Sequence, residues 1–236
     1  MKLSVVMPVY NERETILEIL DRVRAVEVSK EIIIVDNCST DGTREIVEEI
    51  DYPEVRKILQ DRNRMKGNSV KKGIRAAGGE YTIIQDADLE YDPRDYEPLL
   101  AEAERSDVLA VLGSRALGAA QRCEQMPVNS FSLGRDFLND YFNVLFGTRL
   151  TDIATCYKLA PTSFLQSLDL VSDGFDLDFE LPARFVLEAQ RRGQQVVEVP
   201  IRYYPRSVEQ GKKIRWTDGI ASLLAITRFR FLAIDR

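Results

Sequence analysis

Tyr81-Thr82-Ile83-Ile84-Gln85-Asp86-Ala87-Asp88-Leu89-Glu90 begins as an apolar run and ends in acid. Residues 81–86 read as a strand buried on both faces, and two carboxylates close it. Working outward, Leu3–Met7, Ile32–Asp36, Val55–Leu59 and Val108–Gly113 are further short strand-like runs. Between the five runs, Glu12–Val26, Gly42–Ile50, Asn68–Ala77 and Pro93–Arg105 carry helical periodicity. Asp41 or Thr40 suits the cap of the second helix, and Pro93 suits the first turn of the fourth. Alternation of this kind predicts an α/β fold: a mostly parallel sheet flanked by helices. Such sheets bind ligands beyond the carboxyl ends of their strands. The ends to inspect are Pro8–Glu12, Asp36–Asp41, Asp61–Gly67, Asp86–Asp92 and Ser114-Arg115.

Beyond residue 115 the alternation breaks. Ala116–Val128 reads as loop and Phe131–Phe146 as an aromatic-rich helix. Thr155–Leu159 reads as strand, Phe175–Arg192 as helix and Gln195–Tyr203 as strand. Pro205–Lys213 is a basic loop, and Trp216–Ile234 reads as a terminal amphipathic helix. The expected division is a core over residues 1–204 and a C-terminal extension over 205–236.

The chain has 236 residues, 44% hydrophobic and 30% charged, enough to bury a sizeable core. Its net charge of −6 argues against nucleic acid as a partner. Cys38, Cys123 and Cys156 have neither disulfide-framework nor zinc-site spacing, which points to a reducing, cytoplasmic setting. The sequence contains no histidine. That excludes Ser-His-Asp and Cys-His catalysis and leaves only oxygen-rich metal sites, the kind that hold Mg²⁺ or Mn²⁺. Met1-Lys2-Leu3 runs straight into strand, so no signal peptide is expected. No run of roughly 18 apolar residues suggests a membrane span.

Polar residues gather at three strand ends: Pro8-Val9-Tyr10-Asn11-Glu12, Asp36-Asn37-Cys38-Ser39-Thr40-Asp41-Gly42-Thr43 and Gln85-Asp86-Ala87-Asp88-Leu89-Glu90. For Asp41-Gly42 alone, turn chemistry is the simpler reading. Asp86 and Asp88 fit it poorly, because they would repel each other unless a cation lies between them.

These three segments together resemble the successive motifs of family-2 glycosyltransferases of the GT-A fold. Thr155-Cys156-Tyr157-Lys158 and Val199-Pro200-Ile201 resemble a narrower branch, the polyprenyl-phosphate sugar transferases. The resemblance covers nearly the whole chain. It implies a Rossmann-like GT-A domain that moves a sugar, with inversion, from a UDP-sugar or GDP-mannose donor to polyprenyl phosphate. It places Pro8, Tyr10, Asn11, Glu12, Asp36, Lys66, Gly67 and Asp86 around the donor. Asp86, Asp88 and Glu90 would hold Mg²⁺ or Mn²⁺, with Glu90 standing where some relatives carry Gln. Arg115, Arg135, Glu180, Arg206 and Lys212 fall on the acceptor side, and Asp88, Arg115 and Asp152 at the reacting centre.

The acceptor decides what catalysis needs. A sugar hydroxyl needs a base, and the resemblance offers Asp152 either as that base or as a residue that orients the acceptor. A lipid phosphate, with a second pKa near 6, is already ionised and needs cations such as Arg115. Asp152→Asn and Arg115→Ala are expected to separate these readings. Asp178 reads as a solvent-facing helix residue and Cys156 as a small packed one. The last helix reads either as packed on the core or at a dimer contact, or as lying at a membrane interface with Arg215, Arg228 and Arg230 toward anionic head groups. A peripheral location at the inner face of the membrane goes with the second reading, and a homo-oligomer stays open. A nucleotidyltransferase would show a Gly-rich phosphate loop where Pro8–Glu12 stands. A nucleotide-sugar-binding module without turnover leaves the acid pair and the arginines unused.

Overall fold

The computed structural model describes residues 1–124, 130–206 and 216–232. Seven strands form one sheet in the order β3-β2-β1-β4-β6-β5-β7. They are β1 (Leu3–Val9), β2 (Lys30–Asp36), β3 (Val55–Leu59), β4 (Tyr81–Ile84), β5 (Val108–Ser114), β6 (Lys158–Pro161) and β7 (Gln195–Pro200). β1, β2, β3 and β4 run parallel, as do β5 and β7, while β6 runs antiparallel between β4 and β5. β1, β4 and β5 are apolar almost throughout because helices cover both sheet faces, and nearly every side chain in them is buried.

The helices are α1 (Ile16–Ala25), α2 (Thr43–Glu49), α3 (Met65–Ala76), α4 (Tyr96–Ala103), α5 (Arg115–Gln121), α6 (Ser130–Phe146), α7 (Thr162–Ser167), α8 (Leu177–Arg192) and α9 (Trp216–Leu232). Chain order runs outward from β1 to β3 and then returns to β4 on β1's other side. The crevice at such a reversal is where doubly wound sheets bind ligands.

Several expected boundaries move. β4 stops at Ile84 because Gln85 turns inward, fully buried, and its Oε1 accepts from Tyr96 (2.6 Å) and Tyr157 (2.7 Å). Residues 116–128 were expected as loop, yet Arg115–Gln121 form α5. Ser114 Oγ caps it by accepting from Leu117 N. Gly118, which reads as a breaker, is there because a Cβ would stand 1.9 Å from the Ile201 carbonyl oxygen. The strand expected at 155–159 lies at 158–161, and β7 ends at Pro200. Neither Thr40 nor Asp41 is the cap residue of α2; Gly42 is, in the left-handed region at φ 97°. Asp41 instead accepts from Thr43 N at 3.0 Å.

α9 packs against α6 and α8. Ala225, Ile226 and Phe229 are buried there, and Arg230 donates to the Leu145 carbonyl at 2.9 Å. Leu224 and Phe231 face outward. Among the described residues no helix is long and apolar enough to cross a membrane.

Candidate functional site

Each of the four contiguous parallel strands leads into a residue forced into the left-handed region: Asn11 (φ 55°) after β1, Cys38 (62°) after β2, Met65 (69°) after β3 and Leu89 (64°) after β4. Non-glycine residues adopt this conformation at a cost and keep it only when surroundings impose it. Here hydrogen bonds impose it. Asn11 N donates to Ser39 Oγ (3.0 Å), and Thr40 N donates to Asn11 Oδ1 (2.9 Å). Glu12 N donates to Thr43 Oγ1 (2.9 Å). Met65 N donates to Asn63 Oδ1 (2.9 Å), and Glu90 N donates to Asp88 Oδ1 (3.1 Å). The carboxyl edge of the sheet is thus laced into a fixed rim.

Three groups of side chains stand on this rim. The first lines an open cleft and includes Asn11, Glu12, Asp88 and Arg206. Arg206 spans it: Nη2 reaches Glu12 Oε2 at 2.9 Å and Nε reaches the Asp88 carbonyl at 2.7 Å. Burial, then the neighbouring Asp86 and Glu90 charges, push the Asp88 carboxyl up to about 7. Glu90 is already engaged, accepting from Tyr203 Oη and Arg206 N at 2.8 Å each.

The second group surrounds Lys66. Its Nζ lies 3.0 Å from Asp86 and 3.3 Å from Asp178, and Lys158 approaches Asp178 at 3.6 Å. Burial opposes the Lys66 charge, but Asp178 and Asp86 outweigh it and hold its pKa well above the ordinary value. Lys158 is fully buried and donates to the Thr155 carbonyl; burial lowers its pKa despite Asp178.

The third group centres on Arg115 and Asp152. The guanidinium grips both carboxylate oxygens at 2.7 Å, and Arg115 N adds a third bond at 3.0 Å. Burial would raise the Asp152 carboxyl, but Arg115 outweighs it and holds it below the usual range. Tyr203 joins this group to the first, its ring 5.0 Å from the Arg115 guanidinium and its hydroxyl on Glu90.

A model of the family described as glycosyl transferase family 2 matches residues 4–156. The chain belongs to that family. The low-salt glycan biosynthesis hexosyltransferase of Haloferax volcanii is 26% identical over 88% of this chain and 49% of its own length. The dolichol-phosphate mannosyltransferase of Pyrococcus furiosus is 35% identical over 49% of this chain and 33% of its own. The chain thus spans about half or less of these two relatives. A solved structure of glucosyl-3-phosphoglycerate synthase from Mycobacterium tuberculosis, in complex with UDP, superposes with a TM-score of 0.70 at 16% identity, over 97% of this chain and 80% of that one. At that identity the likeness shows the fold alone, and it is the GT-A fold that the motifs suggested.

Against the family's motifs, the expected site residues separate. Pro8 lies within β1 opposite Val35, and Tyr10 stands half-buried at the strand end. Asp36 is fully buried and accepts from Cys38 N (3.1 Å) and Ser39 N (3.3 Å), which shapes the loop after β2. Gly67 is a packing glycine: a Cβ would stand 2.7 Å from the Asp173 and Gly174 backbone. Glu180 is fully buried, accepting from Val171 N and Ser172 N (2.8 Å to the latter), and so ties the segment before α8 to the helix. Arg135 donates to Asp136 at 2.7 Å while its charge reaches Asp152. Lys212 lies outside the described residues.

Asp178 corrects the sequence reading. It does not face solvent but stands between Lys66 and Lys158. Sequence periodicity could not find it, because Leu177 and Phe179 to Ala183 are all buried and this turn of α8 has no single polar face. Cys156 packs in the core with its thiol pushed up by burial, as a small packed residue should.

The metal question turns on Asp88. Among the described residues no three acidic, cysteine or histidine groups converge into a cage. Asp86 is turned to Lys66, and Glu90 to Tyr203 and Arg206. Asp88 remains, ionised only against opposition, which is the donor chemistry a hard cation relieves. Mg²⁺ and Mn²⁺ suit one or two carboxylates that share the ion with substrate phosphates. The residues fit that arrangement and not a metal cage made by the protein alone.

Proposed function

We propose that this chain transfers a sugar from a nucleoside-diphosphate donor to a polyprenyl phosphate, with inversion at the anomeric carbon. The carrying observation is the charge layout of one rim. The Asp88 carboxyl is pushed up to about 7 by burial and by its acidic neighbours, while on the same rim Lys66 is paired with Asp86 and Arg206 with Glu12. A metal-bound diphosphate satisfies both sets at once. Asp88 would hold Mg²⁺ or Mn²⁺, and the ion would neutralise the charge that develops on the departing diphosphate. Lys66 and Arg206 bind and orient that diphosphate. Glu12, Asn11 and Tyr10 frame the nucleoside.

The acceptor reading rests on Asp152. A hydroxyl acceptor must lose a proton to a base. The base the sequence offered is Asp152, and both its oxygens are clamped by Arg115 and its affinity for a proton is depressed. A phosphate acceptor arrives ionised and asks only for positive charge, from the Arg115 edge and Arg135. Its oxygen attacks the anomeric carbon in line, the carbon–oxygen bond to the diphosphate breaks, and no sugar–enzyme bond forms. The mannosyltransferase relative, named for a dolichol-phosphate acceptor, supports this class. Residues 205–236 would act on the acceptor side, and the protein would work at the inner face of a membrane.

The test is transfer from radiolabelled UDP-glucose, UDP-N-acetylglucosamine or GDP-mannose, with and without Mn²⁺, to a polyprenyl phosphate in detergent. The expected product is a metal-dependent lipid-linked sugar of inverted anomeric configuration. Transfer only to soluble hydroxyl acceptors would overturn the acceptor assignment; retention of configuration would overturn the direct displacement.

A further inference from the structure

Asp86, Lys66, Asp178 and Lys158 form, in that order, a chain of alternating charge, with contacts of 3.0, 3.3 and 3.6 Å. It runs from the end of β4, through the first turns of α3 and α8, to the start of β6. The two lysines balance the two aspartates. Asp178 sits between the lysines, with one oxygen toward Lys66 and the other toward Lys158. The first turn of α3 is pressed against the Asp173-Gly174 segment that leads into α8. Gly67 permits the approach, Asn68 N donates to the Asp173 carbonyl at 3.0 Å, and Lys71 pairs with Asp173 at 2.8 Å.

Lys66 lies within reach of both Asp86 oxygens, at 3.0 and 3.1 Å. It therefore competes with any cation that uses Asp86. With a single partner, a half-buried lysine would stay on that partner, because leaving strands a charge in a poorly solvated site. With two partners it can let one go.

We propose that Asp178 is a positioning residue: it holds Lys66 by a second contact, so that Lys66 releases Asp86 to an incoming divalent cation and turns to the donor's phosphates without losing its charge partner. This rests on the metal-dependent transferase reading. Lys158 serves Asp178 in turn, fixing its carboxylate from the far side.

The experiment measures free Mn²⁺ by its paramagnetic resonance signal, with UDP or GDP present, across a cycle of variants. Wild type, Asp178→Asn, Lys66→Met and the double variant are compared, each also carried in a Lys158→Met background, which removes the buried lysine that Asp178→Asn would strand. In the Lys66 background Asp178→Asn should raise half-saturating Mn²⁺ about tenfold, the scale of one lost charge contact in such a site. In the Lys66→Met background the same change should do almost nothing, since the competitor is gone. Asp178→Glu should recover part of the loss. An equal effect with and without Lys66 would overturn the proposal, leaving Asp178 as distant charge. No effect in the Lys158→Met background would also overturn it, leaving Asp178 as a burial partner for Lys158. Failure of the wild type itself to bind Mn²⁺ would instead remove the metal reading on which the inference stands.

Discussion

Asp88 ionises against its surroundings, and that gives it two opposite pH signatures. Its folded carboxyl titrates at about 7, above the ordinary 3.8. The folded state therefore holds a proton that the unfolded chain has lost, between roughly pH 4 and 7, and stability falls as pH rises through that window. Asp88→Asn should remove Asp88's share of that slope, adding on the order of 2 kcal/mol at pH 8 after solvent screening and nothing near pH 4. Urea melts of the two proteins at both pH values check it. Mn²⁺ with nucleotide should reverse the ranking at pH 8, because only the wild type gains the cation. Arg115 and Asp152 make a different residue-scale case. The sequence suggested that Asp152→Asn and Arg115→Ala would separate two acceptor chemistries; they cannot do so singly, since each side chain is the other's partner. Each single change should cost about 3–5 kcal/mol by stranding a buried group. The double change should cost clearly less than the sum, and a double-mutant cycle by denaturant unfolding would show it. The acid run was legible as residues because it ends a buried strand. The hydrogen bonds of Asp36 and Glu180 were not, because a carboxylate that accepts from nearby backbone and one that faces a ligand have the same letter, whether at a strand end or in a helix's first turn.

At the scale of elements, the first half was read well and the second half less so. β1, β2 and β4 show strongly because they are apolar on both faces over most of their length, and β3, an edge strand with Arg56 and Lys57 exposed, still shows as a short run. The pattern fails where packing is dense on all sides. α5 was missed because Gly118 is required by contact with Ile201 and only then tolerated in a helix. The first turn of α8 hid Asp178 for the same reason. Gly67 offers a test at this scale. Gly67→Ala would force the start of α3 away from the Asp173-Gly174 backbone and lengthen the Lys66–Asp178 contact. The expected outcome is a loss of about 1–3 kcal/mol together with weaker donor binding. A drop in melting temperature with unchanged donor affinity would show that the helix start does not set the site.

Over the whole molecule, the sheet order and the seat of α9 matter most. The sequence implied a mostly parallel sheet but could not place β6, whose four residues carry no sign of direction. For α9 the sequence left packing and membrane contact open, and the two sides of the helix now answer differently. Phe229 lies in the α6–α8 seam, so Phe229→Ala should cost about 3–5 kcal/mol. Leu224 and Phe231 face outward, 65% and 57% exposed. The double change Leu224→Ser, Phe231→Ser should leave the melting temperature within a few degrees and reduce flotation with anionic vesicles. Undiminished flotation would take α9 out of membrane contact.

The antiparallel β6 also sets a timetable for synthesis. Strands β1 to β4 are complete once residue 84 has left the ribosome, but β4's second neighbour begins only at residue 158, 74 residues later. At roughly 5–20 residues per second that is about 4–15 s of waiting. Through that interval β4 presents a bare, apolar edge able to recruit a stray strand from another nascent chain. Slowed elongation between codons 85 and 158 would lengthen the exposure, and the yield of soluble protein should follow translation speed there more closely than anywhere else in the message.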